Sequence, residues 1–150
     1  MFTIYTKDFG KITVEAQGVK KESAKLKGHL EPLLPARIGF VTSKRGMRLV
    51  YASMRDFWPG VRQDLGKLII AFRMADAIDE MCLEGERDEN VWNEILKSFL
   101  LLGKENAPFT GDSRGFSERA LQSAEIITNA GRDFFEGFKK RLTQELGYGG

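Results

Sequence analysis

The stretch Tyr5–Gly28, YTKDFGKITVEAQGVKKESAKLKG, sets the pattern around which the chain is organised. Polar and apolar residues alternate over Lys11–Gln17, which is typical of a β-strand with one face turned to a core. The strand ends at Gly18, and the loop that follows contains four lysines: Lys20, Lys21, Lys25 and Lys27. Because each ammonium group can meet a phosphate without fixed geometry, such a loop suits a polyanion. On its own, the loop fits an ordinary solvated surface equally well.

The charge of the chain is divided unevenly along its length. Residues 1–62 contain 12 lysines and arginines against 5 aspartates and glutamates, a net charge of +7. Residues 63–150 contain 11 against 16, a net charge of −5, so the overall value of +2 conceals the division. This asymmetry indicates a polyanion-binding front and an acidic rear, or two domains with different partners. It favours the polyanion interpretation of the lysine loop.

Composition and residue counts exclude several classes of protein. Of the 150 residues, 42% are hydrophobic and 29% charged, as in globular rather than disordered proteins. No apolar run approaches the roughly 20 residues of a membrane-spanning helix, and the N-terminus lacks the pattern of a signal peptide. The single cysteine, Cys82, and the single histidine, His29, exclude an internal disulfide and a Cys/His zinc site within one chain. We expect a cytoplasmic protein with no membrane association, metal or cofactor.

Four segments in the first third of the chain have the alternation or the β-branched and aromatic composition of strands. They are Phe2–Thr6, Lys11–Gln17, Arg37–Thr42 and Met47–Ala52. Gly10 is expected to take a positive φ in the first turn, and Ser43–Gly46 is expected to form a hairpin turn. Pro32 and Pro35 disfavour a regular helix between the second and third strands. We expect a small, twisted antiparallel sheet or partial barrel.

From Trp58 onward the hydrophobic period becomes helical. The first predicted helix ends at Gly85 and has as its apolar face Val61, Leu65, Leu68, Ile69, Phe72, Ala75 and Cys82. The second begins after the N-cap Asp88, with Val91, Trp92, Ile95, Leu96, Phe99 and Leu100. The last begins at Ser117, with Leu121, Ala124, Ile127, Phe134, Phe138, Leu142 and Leu146. The fold class is therefore α+β, with an N-terminal OB-fold-like (oligonucleotide-binding) partial β-barrel in residues 1–57 and an α-helical bundle domain in residues 58–150.

A strand-rich module with basic loops predicts a groove that follows a nucleic-acid backbone. The candidate DNA-binding cations are Lys11, Lys20, Lys21, Lys25, Lys27, Arg37, Lys44, Arg45 and Arg48. Phe9, Phe40 and Tyr51 are candidate platforms for base stacking, although a core position is favoured for Phe40. If these cations act mainly on phosphate, binding will be largely independent of sequence and strongly dependent on salt.

Signals for enzymatic chemistry are weak. Gly60–Leu68 looks like a phosphate-binding loop, but five residues separate its glycines instead of four, and Leu68 stands where Ser or Thr should follow Lys67. Four acidic residues have spacings that could bind a divalent cation, although a solvated helix face is favoured; they are Asp76, Asp79, Glu80 and Glu84. His29 is interpreted as a surface residue and Cys82 as a small core residue. No nucleophile and base can be paired, so we expect no catalytic site.

The order of these features resembles the N-terminal domain of the RecO family of bacterial recombination-mediator proteins. The resemblance rests on the strand start Thr6–Lys11, the segment Ala16–Gly18, the basic segment Ser23–Gly28 and the Leu-x-Pro segment Leu30–Pro32. At the far end, Phe134–Tyr148 resembles a late helix of the family that ends in Gly-Tyr. Together these segments span nearly the whole chain, and their order is more specific than any one of them.

The resemblance implies a non-enzymatic DNA-repair protein of the bacterial cytoplasm, associated with the nucleoid when it acts. Proteins of the family bind single-stranded and double-stranded DNA, anneal complementary strands and engage single-stranded DNA-binding protein. With the partner RecR they help a recombinase to load on coated single-stranded DNA. The basic loop of the family corresponds here to Lys20, Lys21, Lys25 and Lys27.

Two departures from the family pattern bear on these expectations. Family members usually have another strand before the equivalent of Phe2, and its absence predicts a four-stranded barrel with an open edge that could pair with a second copy. Many members also have a cysteine zinc module after the Gly-Tyr, which the single cysteine of this chain cannot form. Zinc is therefore not carried over from the family to this chain.

Two other functions remain open from the sequence. One is a protein-interaction adaptor that has the same fold but has lost DNA binding. The other is an RNA-binding or ribosome-associated protein, since the same groove would serve RNA. Salt-dependent DNA affinity and competition between matched DNA and RNA strands separate the three.

Overall fold

A computed structural model describes residues 1–16, 32–33, 35–55, 58–105 and 129–148. The chain divides into two compact units. The sheet unit is Met1–Phe57 together with Cys82–Asp88, and the helical unit is Trp58–Met81 together with Glu89–Gly150. The fold class is α+β, as predicted. The short segment Cys82–Asp88, which the sequence analysis assigned to the helical part, belongs to the sheet unit.

The sheet unit is built on one mixed sheet whose strands occur in the order β1-β2-β4-β3. The strands are β1 (Phe2–Thr6), β2 (Gly10–Glu15), β3 (Ala36–Ser43) and β4 (Gly46–Met54). β1 and β2 form one antiparallel hairpin and β3 and β4 another, and these four strands are the ones predicted. The prediction of a wholly antiparallel sheet is wrong, because β2 pairs in parallel with β4 through Val14 and Glu15. Alternation within a strand gives no information on the direction of its neighbour.

Both hairpin turns have the residues that their backbone conformations require. Gly10 has a φ of 66°, and the turn before it is fixed by the Thr6 hydroxyl, which donates to the Gly10 carbonyl and accepts from the Phe9 N–H, each at 3.0 Å. Gly46 has a φ of 113°, which favours glycine strongly. Both turns were expected from the positions of Gly10 and Gly46, and the structure confirms them.

One face of the sheet packs into a small apolar core. Its buried residues are Ile12, Val14, Leu49 and Ala52, and Ile4, Ile38, Phe40 and Met47 pack against them. Phe9, in the turn between β1 and β2, contacts the ring of Phe40 on β3, the strand at the other end of the sheet order. The contact spans β4, which lies between β2 and β3 in the sheet order, and the natural twist of a sheet favours such an approach.

Cys82–Asp88, which we call the strap, lies along β2. The Gly85 N–H donates to the Lys11 carbonyl at 2.8 Å, and the Thr13 N–H donates to Oε1 of Glu84 at 3.2 Å. A Cβ added at Gly10 would overlap the Glu86 carbonyl, so glycine is needed there for close approach as well as for its φ. The strap therefore satisfies hydrogen-bonding groups of β2 that β4, paired only with Val14 and Glu15, does not.

The helical unit has four helices among its described residues: α1 (Pro59–Arg62), α2 (Leu65–Met81), α3 (Glu89–Lys104) and α4 (Asn129–Glu145). Asp64 accepts a hydrogen bond from the Lys67 N–H and so caps α2. α3 begins directly after Asp88, as predicted. The fully or nearly fully buried side chains include Ile70, Met74, Val91, Phe99, Leu102, Phe138 and Leu142. Each long helix buries one stripe of apolar side chains, and these stripes together form the core.

The buried face of α2 differs from the prediction. Leu65 and Phe72, assigned to the core, are 40% and 46% exposed, whereas Ile70, Ala71, Met74, Ala77 and Ile78 are buried. The stretch holds so many apolar residues that a helical period fits more than one face. α2 also ends at Met81 rather than at Gly85, which has a φ of 78° in the strap. The helical position predicted for Cys82 is therefore wrong, but its burial is confirmed.

Polar groups that enter the helical core are paired. Nζ of the buried Lys67 donates to the Gly103 carbonyl at 3.1 Å, near the end of α3, where carbonyl groups lack partners within the helix. Ser98 and Arg141 both donate to Oε1 of the buried Glu94, so a carboxylate, a hydroxyl and a guanidinium join α3 to α4. Among the helices of the described residues, none is long and apolar enough to span a membrane.

Candidate nucleic-acid interface

The antiparallel pair β3 and β4, which we call the ribbon, presents a cationic face opposite the core. Side chains of a strand alternate between faces, and directly paired residues share a face. Arg37 pairs with Ser53, Gly39 with Tyr51 and Val41 with Arg48, while Ile38, Phe40 and Leu49 point to the core. Arg37, Arg48 and Tyr51 are all exposed. The ribbon therefore places two predicted phosphate-binding arginines and one predicted stacking residue on one face.

The turn of the ribbon adds two more of the predicted cations. Lys44 and Arg45 are the two residues between the paired Ser43 and Gly46, and both are exposed. The Ser43 hydroxyl accepts from the Arg45 N–H at 3.2 Å and donates to the Gly46 carbonyl at 3.1 Å. The backbone of the turn is thus held while the two long side chains extend from its tip.

Arg55 is a cation of this face that the sequence analysis did not select. Its N–H donates to the Pro35 carbonyl at 2.8 Å, which continues the pairing of β3 with β4 beyond Met54. Because Tyr51, Ser53 and Arg55 are two residues apart, they fall on the same face. The prediction ended β4 at Ala52, and strict alternation from Leu49 would in any case turn Arg55 towards the core. The register shift at Val50, which the sequence does not reveal, places Arg55 on the cationic face.

The remaining predicted cations divide into two groups. Lys11 lies on β2, half-buried and next to the strap, whose residues Glu84, Glu86 and Asp88 are acidic. The neighbours of Lys11 are therefore the carboxylates of the strap and not the cations of the ribbon. Lys20, Lys21, Lys25 and Lys27 lie outside the described residues, as does His29. Their contact with DNA stays a prediction.

The three candidate stacking residues have different environments. Phe40 packs against the sheet core, as favoured from the sequence. Phe9 is 52% exposed, with its ring set edge-on against Phe40. Tyr51 is 51% exposed on the cationic face of the ribbon. Of the three, Tyr51 combines exposure with neighbouring cations.

The electrostatics around β1, β2 and the strap differ from those of the ribbon. Burial, and then the nearby Cys82 and Asp88, raise the pKa of Tyr5 to about 12. Burial raises the pKa of the Cys82 thiol, against the opposing effect of Lys11. Towards the ribbon, Glu15 pairs directly with Arg48, so one carboxylate borders the cationic face. This carboxylate lies on the β2 side of the face, so the β3 side has the more positive surroundings.

The residues that the sequence offered as a phosphate-binding loop or a metal site do not form such a site. Lys67 of the rejected phosphate-loop pattern is buried and engaged with the Gly103 carbonyl. Asp76, Asp79 and Glu80 are exposed on α2, whereas Glu84 belongs to the strap. Within the described ranges, no group of three or more Asp, Glu, His or Cys side chains is arranged to hold a metal ion.

Comparison with known proteins identifies the family. The chain is 31% identical over 126 residues, 83% of its length, to the DNA repair protein RecO of Syntrophus aciditrophicus. The chain belongs to the RecO family. It is also 26% identical over 64% of its length to RecO of Gloeobacter violaceus, and 28% identical over 81% to RecO of Clostridium perfringens. No protein-family model matches the chain.

The chain covers only part of these RecO proteins. The aligned region is 45% of the Syntrophus protein, 37% of the Gloeobacter protein and 54% of the Clostridium protein. The chain thus spans about half the length of the relatives it matches. The family resemblance inferred from the sequence is confirmed.

Proposed function

We propose that this protein binds DNA in repair and recombination, with the cations of the sheet unit holding phosphates. The observation that carries the proposal is the exposed face of the ribbon, where Arg37, Arg48 and Tyr51 lie together and Lys44 and Arg45 extend from the turn. Membership of the RecO family, whose relatives are named DNA repair proteins, supports the same role. The role is that of a binding protein rather than an enzyme.

The sheet unit is proposed to be a partial OB-fold barrel. β1 and β3, the outer strands of the sheet order, run in the same direction, because β2 and β4 are parallel and each outer strand is antiparallel to its neighbour. One further strand could therefore pair antiparallel with both and close the sheet. The contact of Phe9 with Phe40 supports the curvature that closure needs. We propose a domain boundary near Phe57, with a helical bundle after it.

The proposed activity is to bind single-stranded and double-stranded DNA and to anneal complementary strands. Cations that act on phosphate reduce the repulsion between two strands while leaving the base edges free to pair. The lysine loop, with Lys20, Lys21, Lys25 and Lys27, would add to the cations of the ribbon. We also propose that the protein helps a recombinase to load on coated single-stranded DNA, and that it acts there with a RecR-like partner and with single-stranded DNA-binding protein. A homodimer through the outer strand β1 is a further proposal, tested by the solution mass.

Binding of labelled single-stranded DNA across a salt series tests the function. One variant reverses the charge of Arg37, Lys44, Arg45 and Arg48 to glutamate, and a second reverses the four loop lysines. The matched control reverses four exposed cations of the helical unit: Lys97, Lys104, Arg132 and Lys140. All three variants change the net charge equally. For single strands the slope of log affinity against log salt is about 0.7 per neutralised phosphate, so each lost contact should flatten it by about that amount.

We expect both sheet-unit variants to bind more weakly with a flatter salt slope, and the control to retain most of its affinity. A loop variant that binds like the unchanged protein would remove the loop from the interface. Equal losses in all three variants would indicate a general charge effect. Weak, salt-independent binding by the unchanged protein would favour the protein-interaction adaptor instead, for which the acidic helical part is the candidate docking region.

A further inference from the structure

Tyr51 occupies an unusual position within the ribbon. Gly39 pairs with Tyr51 and the next residue, Phe40, pairs with Leu49, so Val50 has no partner and forms a β-bulge. A bulge adds local twist and changes the direction of neighbouring side chains. Consistent with this, Val50 and Tyr51 are consecutive and both 51% exposed, which strict alternation on a half-buried strand would not give.

The residue opposite Tyr51 leaves its ring without a side-chain neighbour across the strand. A Cβ added at Gly39 would lie 3.3 Å from Cβ of Tyr51 and 4.0 Å from its Cδ1. The ring therefore leans over the position where any other residue would place a side chain. Glycine costs stability within a strand, so its presence opposite an exposed aromatic ring requires a reason. The close approach of the Tyr51 Cβ provides one, and the glycine leaves no side chain directly across the strand to compete with a ligand for the ring.

Cations flank this ring on the same face. Arg37 is the diagonal neighbour of Tyr51, a relation that places side chains within about 7–8 Å of each other. Arg48 lies on the other side of the bulge, opposite Val41. An exposed ring between cations is complementary to a nucleotide, whose base is flat and whose phosphate is anionic.

We propose that Tyr51 is a stacking platform for one unpaired base, and that it makes the ribbon bind single-stranded DNA in preference to duplex. This inference rests on the proposed DNA-binding function and specifies which form of DNA the ribbon selects. In a duplex both faces of each internal base are already stacked, so the ring gains nothing from it. Stacking leaves the hydrogen-bonding edge of the base free, so a held strand can still pair with its complement.

The test compares Tyr51→Leu and Tyr51→Phe with the unchanged protein. Fluorescence anisotropy measures their binding to an oligothymidine strand and to a duplex of the same length. Tyr51→Leu keeps apolar bulk without the aromatic face and should weaken single-strand binding about 5- to 100-fold, while duplex binding changes less than about twofold. Tyr51→Phe should retain the single-strand affinity. Tyr148→Leu, an equally drastic change at a 62% exposed tyrosine of the helical unit, is the matched control.

The salt dependence separates stacking from phosphate contact. The slope for Tyr51→Leu should equal that of the unchanged protein, because no cation has been removed. A second variant, Tyr51→Trp, should bind single strands at least as tightly, and the added indole fluorescence should be quenched by the oligonucleotide. It keeps an aromatic side chain at a strand position, so it guards against loss of folding in the leucine variant.

The outcomes distinguish this inference from the function on which it rests. Selective loss of single-strand binding in Tyr51→Leu, with Tyr51→Phe and Tyr148→Leu unaffected, supports the platform. Unchanged single-strand affinity, or equal losses on single strand and duplex, overturns it while the DNA-binding function stands. If the unchanged protein binds neither DNA, the proposed function itself fails and the inference fails with it.

Discussion

The ring of Phe9 packs edge-on against the ring of Phe40, with centroids 5.1 Å apart and planes at 74°. Phe9 belongs to the turn between β1 and β2, and Phe40 to β3, which is not hydrogen-bonded to either strand. The contact therefore spans β4, which lies between β2 and β3 in the sheet order. It covers Phe40, which pairs with Leu49 and packs against the sheet core.

Replacement of Phe9 should loosen this end of the sheet. We expect Phe9→Ala to reduce the stability of the sheet unit by about 1 kcal/mol, the scale of one aromatic pair beyond its buried area. Phe9→Leu should reduce the stability less, since the leucine side chain still covers the ring of Phe40. Hydrogen exchange of the β2 and β3 amides provides the measurement. If both variants exchange like the unchanged protein, the ring contact does not hold the curvature.

Gly10 and Gly85 form a matched pair for testing the strap. Their φ angles are 66° and 78°, but an added Cβ at Gly10 would overlap the Glu86 carbonyl, whereas one at Gly85 meets nothing within 4 Å. Gly85→Ala should therefore cost about 1–2 kcal/mol from backbone strain alone. Gly10→Ala should cost more, because the strap must also move away from β2. Urea unfolding followed by circular dichroism compares them, and equal costs would mean that the strap is not held against Gly10.

Arg141 neutralises a carboxylate that is otherwise buried in the helical core. Its Nε donates to Oε1 of Glu94, whose side chain is 9% exposed, and Ser98 donates to the same oxygen. Arg141→Met should destabilise the unit by about 2–4 kcal/mol, because removal of one partner leaves a buried charge unpaired. Glu136→Gln, in the exposed pair with Lys139, should cost less than about 0.5 kcal/mol. Urea unfolding monitored by tryptophan fluorescence measures the loss of unfolding free energy in both variants. Similar losses would show that the buried pair stabilises the unit no more than the exposed pair does.

The raised pKa of Tyr5 predicts a dependence of stability on alkaline pH. A phenol whose pKa rises from 10.0 to about 12 on folding holds its proton more tightly in the folded state. Its contribution is complete below pH 10 and is lost as the pH rises towards 12. The free energy of unfolding should therefore decrease between pH 10 and pH 12. In the Tyr5→Phe variant it should decrease less steeply over the same interval. Absorbance titration of tyrosinate in the unchanged protein and in Tyr5→Phe checks the assignment directly: a variant that loses a transition near pH 10 and not near pH 12 would contradict it.

The sequence predicted local structure well where one residue type decides the conformation. Gly10 and Gly46 mark their turns because a positive φ favours glycine, and the alternation of β2 identifies the core residues Ile12 and Val14. The family could also be inferred, since the order of several short segments is specific even where each is not. These features depend on near neighbours in the sequence.

Features that depend on contacts between distant segments were not predictable. The end of α2 at Met81 follows from the packing of the strap on β2, which no local pattern encodes. The bulge at Val50 shifts the alternation of β4, so strict alternation from Leu49 would place Tyr51 facing the core. The sequence selected Arg37 and Arg48, which share the exposed face of the ribbon, but the geometry around Tyr51 and the extension of that face to Arg55 required the structure. Their contact with DNA stays a prediction.

Glu15 offers a last prediction, on the edge of the candidate interface. It pairs directly with Arg48 across β2 and β4, so its carboxylate repels any phosphate that Arg48 would bind. Glu15→Gln should strengthen binding of single-stranded DNA about two- to fivefold at low salt, the range of exposed charge interactions. The gain should shrink as salt screens the charges. Asp79→Asn on α2 changes the net charge equally and should have little effect. An equal gain from both variants would attribute the effect to overall charge, whereas a gain confined to Glu15→Gln would place phosphate beside Arg48.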